Sequence, residues 1–186
     1  MTDPRPLFQD AHAWFTTLIS GDLGAPTPCA DWDVRTVIAH VIASVDRARV
    51  VVDGGSPWDV PVFYDDIADA DLATRHQEAV QRTLASWAEP SVLDRLVTAP
   101  WGTVPARAAV AGWVKEPLVH GWDIAVALGL PSEGPAAAAE FALADAAQFL
   151  PADARDERTP FAAVVEVDPQ AGPTERLAGW LGHARR

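Results

Sequence analysis

Six aliphatic residues, Val34, Val37, Ile38, Val41, Ile42 and Val45, recur at intervals of three and four. That spacing lays them along one face of an α-helix and rules out the two-residue alternation of a half-buried strand. A stripe of this length has to be covered by other parts of the chain. Asp33, just before it, is a good N-cap, because its side chain can accept a hydrogen bond from the free amides of the first turn. The same periodicity predicts a first helix over residues 6–20, with Phe8, Ala11, Phe15, Leu18 and Ile19 on one face and Gly21 and Gly24 behind it. A third helix is predicted over 71–88, with Leu72, Val80, Leu84 and Trp87 facing inward. A fourth follows over 106–128 and stops at Gly129, with a kink expected at Pro117. A fifth covers 135–150, and a short last helix covers 174–184.

The connecting segments carry prolines. Pro26 and Pro28 keep residues 25–30 irregular, and residues 98–105, with Pro100 and Pro105, read as a second irregular stretch. Residues 58–70 read as an ordered loop over the bundle, 151–160 as a charged mobile stretch, and 161–167 as an extended tail without a strand partner. No solenoid-like repeat is present. Long helices joined by loops predict an all-α, up-down four-helix bundle with an extra helix and a short C-terminal tail. The expected division is a bundle over residues 1–150 and an extension over 151–186 packed on it.

Charge and composition narrow the function. The 186 residues carry a formal net charge of −12. Such a surface repels phosphate backbones and anionic lipid, so nucleic acid and membrane are poor partners. The apolar stretches are too short to span a bilayer, and residues 1–6 do not begin a signal peptide, so the expected compartment is the cytoplasm. Monomer and homodimer are both open. Cys29 is the only cysteine, so neither an intrachain disulfide nor a thiolate metal cluster can form, and it reads as a small buried hydrophobe. Any metal site must use nitrogen and oxygen ligands.

Glu116 and His120 supply such ligands. Four residues apart on a helix, they project from one face one turn apart, and Trp113 and Ile124 share that face. A carboxylate facing inward needs compensation, which a divalent cation can give. His40 flanks the apolar stripe of the second helix and offers a third ligand, because bundles build metal sites from inward side chains on facing helices. Three protein ligands leave one position open, the pattern of catalytic zinc, although nickel, iron and cobalt suit the same set. Asp123, one turn beyond His120, is a candidate to orient a ligand from behind. Trp32 and Trp122 are candidate pocket walls, and the turn at residues 100–102 a candidate rim. His12, His76 and His183 have no ligand partner at helical spacing and read as surface residues, and Asp65 and Asp66 as solvated surface.

Two segments carry a family resemblance. Pro26-Thr27-Pro28-Cys29-Ala30-Asp31-Trp32-Asp33-Val34, followed by His40, resembles the N-terminal motif of the mycothiol-dependent maleylpyruvate isomerase-like family, part of the DinB-like metal-binding bundles. Glu116-Pro117-Leu118-Val119-His120-Gly121-Trp122-Asp123-Ile124-Ala125, ending at Gly129, resembles its second motif. The resemblance covers roughly the first 130 residues. It implies a divalent metal, zinc foremost, on His40, Glu116 and His120, and a small-molecule substrate. It further implies mycothiol, the low-molecular-weight thiol of actinobacteria, as cosubstrate in a transferase or isomerase reaction. Family members that isomerise maleylpyruvate carry a further C-terminal domain, and this chain has only a short tail after the fifth helix. The resemblance therefore speaks more directly for the metal site than for that isomerisation. The same ligands would equally serve a hydrolase using metal-bound hydroxide, or a non-catalytic binding protein.

Overall fold

A computed structural model describes residues 3–29, 31–155 and 161–185. Among the described residues, seven α-helices run in the order α1 (Arg5–Thr17), α2 (Val34–Val52), α3 (Leu72–Ser86), α4 (Ala106–Trp113), α5 (Lys115–Leu128), α6 (Ala136–Phe149) and α7 (Pro173–Trp180). The stripe of α2 is fully covered: all six of its aliphatic residues are at most 1% exposed. Asp33 caps this helix, its side chain accepting from the Thr36 amide at 2.8 Å. Helix α2 touches α3, α4 and α5, and α1 touches α3, α4, α5 and α6. Thus α1, α2, α3 and the α4–α5 pair close a helical ring around Phe15, Ile38, Ile42, Leu72, Leu118 and Ile124. Helix α6 lies outside this ring, and α7 packs on α6 and α5.

The expected single helix over 106–128 is two helices, and the bend falls at Val114 rather than at Pro117. The cause is still the proline. Its ring would meet the carbonyl four residues back, that of Trp113, and it has no amide to offer that carbonyl. Interrupting the helix at Val114 makes Pro117 the third residue of α5, where a missing amide costs nothing because first-turn amides have no helical partner. The Lys115 ammonium donates to the Gly112 carbonyl across the bend.

Residues 98–105 are also not irregular. Two strands, β1 (Leu96–Ala99) and β2 (Gly102–Pro105), pair antiparallel from Leu96 opposite Pro105 to Ala99 opposite Gly102. Both prolines sit where a strand tolerates them, Pro100 in the turn and Pro105 at the strand end. Val97 and Ala99 are the buried face. Val80 and Leu84, expected to face inward, are only half-buried, while Leu72, His76, Ala79 and Thr83 carry the buried stripe of α3 and Trp87, its C-cap, continues it. The stretch from 161 to 167 has no regular structure, but it is tied to α7 by the Val165 amide donating to the Gly179 carbonyl. Of the stretch expected to be mobile, residues 156–160 lie outside the described ones.

His12 and His76, expected at the surface, are buried in the α1–α3 interface at 2% and 0% exposure. Their rings meet at 3.0 Å, His12 Nδ1 to His76 Nε2, and His76 Nδ1 lies 3.0 Å from the Thr16 hydroxyl. Each polar ring thereby satisfies the other, which is what makes burial tolerable. Phe8 and Phe15 pack on the pair. Burial lowers the His76 pKa from 6.5 to about 4. Burial and the neighbouring His76 drive His12 well below 6.5 as well, against a weaker opposing pull from Glu116. The folded protein thus holds both rings neutral, and the unfolded chain binds their protons first. This stabilisation is complete above pH 6.5 and is lost as pH falls toward 4; for His76 alone it amounts to about 3 kcal/mol. The urea midpoint is expected to drop steeply between pH 6.5 and 4.5, above the range where most carboxylates titrate. A flat midpoint across that window would contradict the account.

Candidate metal centre

Three elements bring the site together. Helix α2 carries His40, α5 carries Glu116 and His120, and the loop at residues 20–33 supplies Trp32 and Cys29. That loop doubles back on itself: the Thr27 amide and hydroxyl both donate to the Trp32 carbonyl, and the Val34 amide donates to the Ala25 carbonyl. Trp32 is thereby pressed against the His40 ring, 4.7 Å between centroids, and lies 6.1 Å from the His120 ring. The loop after α2 also closes on the site. The Arg47 guanidinium, two turns beyond His40 on α2, holds it by donating to the carbonyls of Pro57, Val60 and Pro61. Phe63 meets Trp32 edge-on at 6.2 Å and remains 40% exposed, which makes it a wall at the mouth of the site.

His40, Glu116 and His120 converge. The Glu116 Oε2 atom lies 3.5 Å from His40 Nε2 and 3.9 Å from His120 Nε2. The far nitrogen of each ring is engaged elsewhere. His40 Nδ1 is 2.7 Å from the Val62 carbonyl oxygen, and His120 Nδ1 is 3.0 Å from Asp123 Oδ2. A carbonyl and a carboxylate can only accept, so each Nδ1 carries a proton, and in the neutral rings both Nε2 lone pairs point at the Glu116 carboxylate. Three acceptors facing one another repel unless a cation lies between them. In a tetrahedral zinc site with bonds near 2.0–2.2 Å, ligand atoms stand about 3.4 Å apart. The spacing of this set therefore fits a single divalent ion.

The electrostatics agree with that fit. Burial alone would raise the Glu116 pKa. Without an ion, a second proton on His40 Nε2 can take its place; the hydrogen bond it then donates and the charges of Lys115, His120 and His40 outweigh burial and hold the carboxyl well below its usual range. His120 is held below its ordinary value by burial and by His40, although Asp123 pulls the other way. An ionised carboxylate, and a His120 ring that gives up its second proton readily, suit a metal, whose ligands must be deprotonated.

Asp123 is fully buried and accepts from two histidines at once: His120 Nδ1 at 3.0 Å on Oδ2 and His183 Nδ1 at 2.8 Å on Oδ1. Burial would raise its pKa, but the bonds from His120 and His183 prevail and keep it ionised. His183, expected at the surface, is thus part of the site. Cys29, expected as buried packing, is only half-buried, and Cys29, His120 and Asp123 each place a donor atom within 4.8 Å of the others. That second set would have to compete for a carboxylate already engaged on both oxygens, which makes His40, Glu116 and His120 the better cradle. Of the expected pocket walls, Trp32 lies at the site, while Trp122 is 1% exposed and packs in the core. Trp101, expected at a pocket rim, packs instead on Trp113 at the α4–α5 bend, with the Lys115 ammonium over its face. Asp65 and Asp66 are exposed, as expected.

Gly121, beside His120, shows why a small residue stands at this point of α5. A Cβ placed there would come within 2.3 Å of the Trp14 ring, so only glycine lets α5 approach α1 this closely.

No helix among the described residues is long and apolar enough to cross a membrane. Over 99% of its length the chain is 28% identical to two uncharacterized proteins of Mycobacterium tuberculosis, from strains CDC 1551 / Oshkosh and ATCC 25618 / H37Rv, each covered completely. The fold matches crystal structures of the mycothiol-dependent maleylpyruvate isomerase and of a histidine-to-alanine mutant of it, with TM-scores of 0.57 and 0.58 at 20% and 18% identity. These matches take in 77% of this chain but 66% of the solved chains, just under two thirds of their length. The family model for the mycothiol maleylpyruvate isomerase N-terminal domain matches residues 5–125, a span that includes His40, Glu116, His120 and Asp123. The chain belongs to the mycothiol maleylpyruvate isomerase N-terminal domain family.

Proposed function

We propose that this protein is a metal-dependent enzyme of small-molecule metabolism, a transferase or isomerase that uses mycothiol, with a divalent ion on His40, Glu116 and His120. One observation carries the metal half of the reading. Two imidazoles with their protons fixed on the far nitrogen aim their lone pairs at an ionised carboxylate 3.5 and 3.9 Å away. The thiol half is supported by the family, whose description names mycothiol. When bound, a divalent ion there supplies the Lewis acidity that lets a coordinated small thiol lose its proton near neutral pH. Zinc suits the donor set best, with nickel, iron and cobalt accommodated by the same nitrogen and oxygen atoms.

The chain's own residues do the rest. Val62 and Asp123 fix the tautomers and orientations of the two ligand rings, so no reorganisation is needed when a ligand arrives. Trp32 and Phe63 form an aromatic wall where an apolar substrate face can rest. Three protein ligands leave room for one exogenous group.

Incubating the metal-loaded protein with mycothiol and a panel of small electrophiles, maleylpyruvate among them, tests the reading. The expected result is product formation that requires thiol and metal together and disappears in His40→Ala. Turnover that proceeds equally well without thiol would overturn the mycothiol assignment.

A further inference from the structure

His183 lies well beyond the part of the chain that the family model matches, on the far side of α7, yet its ring reaches the back of the metal centre. The local structure that delivers it is specific. Helix α7 ends at Trp180, and Gly182 turns the chain back in the left-handed region at φ +93°. The His183 amide then donates to the Ala178 carbonyl and the Gly182 amide to the Gly179 carbonyl. Those two bonds make a Schellman motif, in which a side chain at this position has little freedom. Two residues on, Arg185 pins the end of the chain: it pairs with Glu175 at 2.8 Å, donates to the Ser132 hydroxyl and lies 5.5 Å over the Trp122 ring. The His183 ring is held against Asp123 Oδ1 at 2.8 Å, 5.9 Å from the His120 ring.

We infer that His183 is a positioning residue of the metal centre, acting through Asp123, so that the C-terminal segment completes the site the family domain begins. The inference rests on the metal reading given above. A buried carboxylate bonded on one oxygen only could rotate about its terminal torsion and leave His120. A second donor on the other oxygen locks it in the plane that His120 needs. Among the described residues, His120 and His183 are the two side-chain donors to the Asp123 oxygens, one on each. Removing the His183 ring therefore loosens the orientation of His120, and with it the affinity of the site. Asparagine is the natural replacement, because its amide N–H can stand where Nδ1–H stands.

Cobalt(II) affinity, measured by competition with a chromophoric chelator, and the visible cobalt spectrum test this in wild type, His183→Ala, His183→Asn and His120→Ala, alongside thermal melts. Outer partners of ligand histidines are worth 10–100-fold in metal affinity, and His183 stands one bond further out. The expected result is about a tenfold loss with an altered cobalt band in His183→Ala, recovery to near wild type in His183→Asn, and loss of binding in His120→Ala. Wild-type affinity and spectrum in His183→Ala, with binding still lost in His120→Ala, would overturn the inference while leaving the metal reading intact. So would a folded His183→Asn that recovers nothing. Absence of binding in the wild type itself would remove the metal reading and this inference with it.

Discussion

Glu116→Ala is expected to lower divalent-metal affinity more than about 100-fold while the helical fold survives. Partners of ligands, which never touch the ion, already contribute about 10–100-fold, and in the proposed site Glu116 is one of three protein ligands and the one carboxylate. Its oxygen is the atom at which His40 and His120 converge. Without it the two imidazoles still face each other, with ring centroids 5.0 Å apart, but nothing neutralises the ion. The fold should tolerate the change because it relieves the repulsion between a carboxylate and two lone pairs. Calorimetric titration with zinc and a urea melt of the apoprotein check both halves. Affinity within tenfold of wild type would show that the ion sits elsewhere, with Cys29, His120 and Asp123 the first alternative.

Asp123→Ala is expected to be the most damaging single change at the site for stability. Asp123 is fully buried and accepts from His120 and His183. Truncation leaves the buried His120 N–H and the part-buried His183 N–H without their acceptor. Hydrogen bonds to a charged group contribute about 1.5–3 kcal/mol each, and breaking a buried charged pair about 3–5 kcal/mol, so a loss of about 3–5 kcal/mol is expected. Asp123→Asn keeps one acceptor oxygen but turns the other position into a donor facing a donor, and should fall between. Urea unfolding of both variants in metal-free buffer measures this apart from any ligand effect. A loss under 1 kcal/mol in Asp123→Ala would mean that the two histidines find other acceptors.

The helices were legible because each has to bury a face, and the face has a period. The stripe from Val34 to Val45 and the Asp33 cap were readable from the sequence, and the structure carries both. His12 and His76 were misread for a physical reason. Both occupy buried positions of the period, His12 with Phe8, Ala11 and Phe15, and His76 with Leu72, Ala79 and Thr83. A lone histidine in a stripe looks like an error in the pattern until its partner is known, and the partner lies 64 residues away. Following the period instead of the polarity would have found both. The hairpin at residues 96–105 was hidden by prolines that normally forbid strands and here occupy the turn and the end. The convergence of His40 on Glu116 was legible only as two inward-facing helices, since no local signal gives the separation. His183 was beyond reach, because its place depends on the turn at Gly182 and on the docking of α7 against α5. Pro117 pointed to a broken helix, but the steric clash acts four residues upstream, which moved the bend to Val114.

The central claim is that His40, Glu116 and His120 form one divalent-metal site. Titrating cobalt(II) into the purified metal-free protein tests it most directly, read by visible absorption and by elemental analysis after dialysis. The account predicts saturation at one ion per chain, with the intense band of a four-coordinate nitrogen and oxygen site, and its loss in both His40→Ala and His120→Ala. A folded protein that shows no saturable band, or one that keeps it in both variants, would contradict the account.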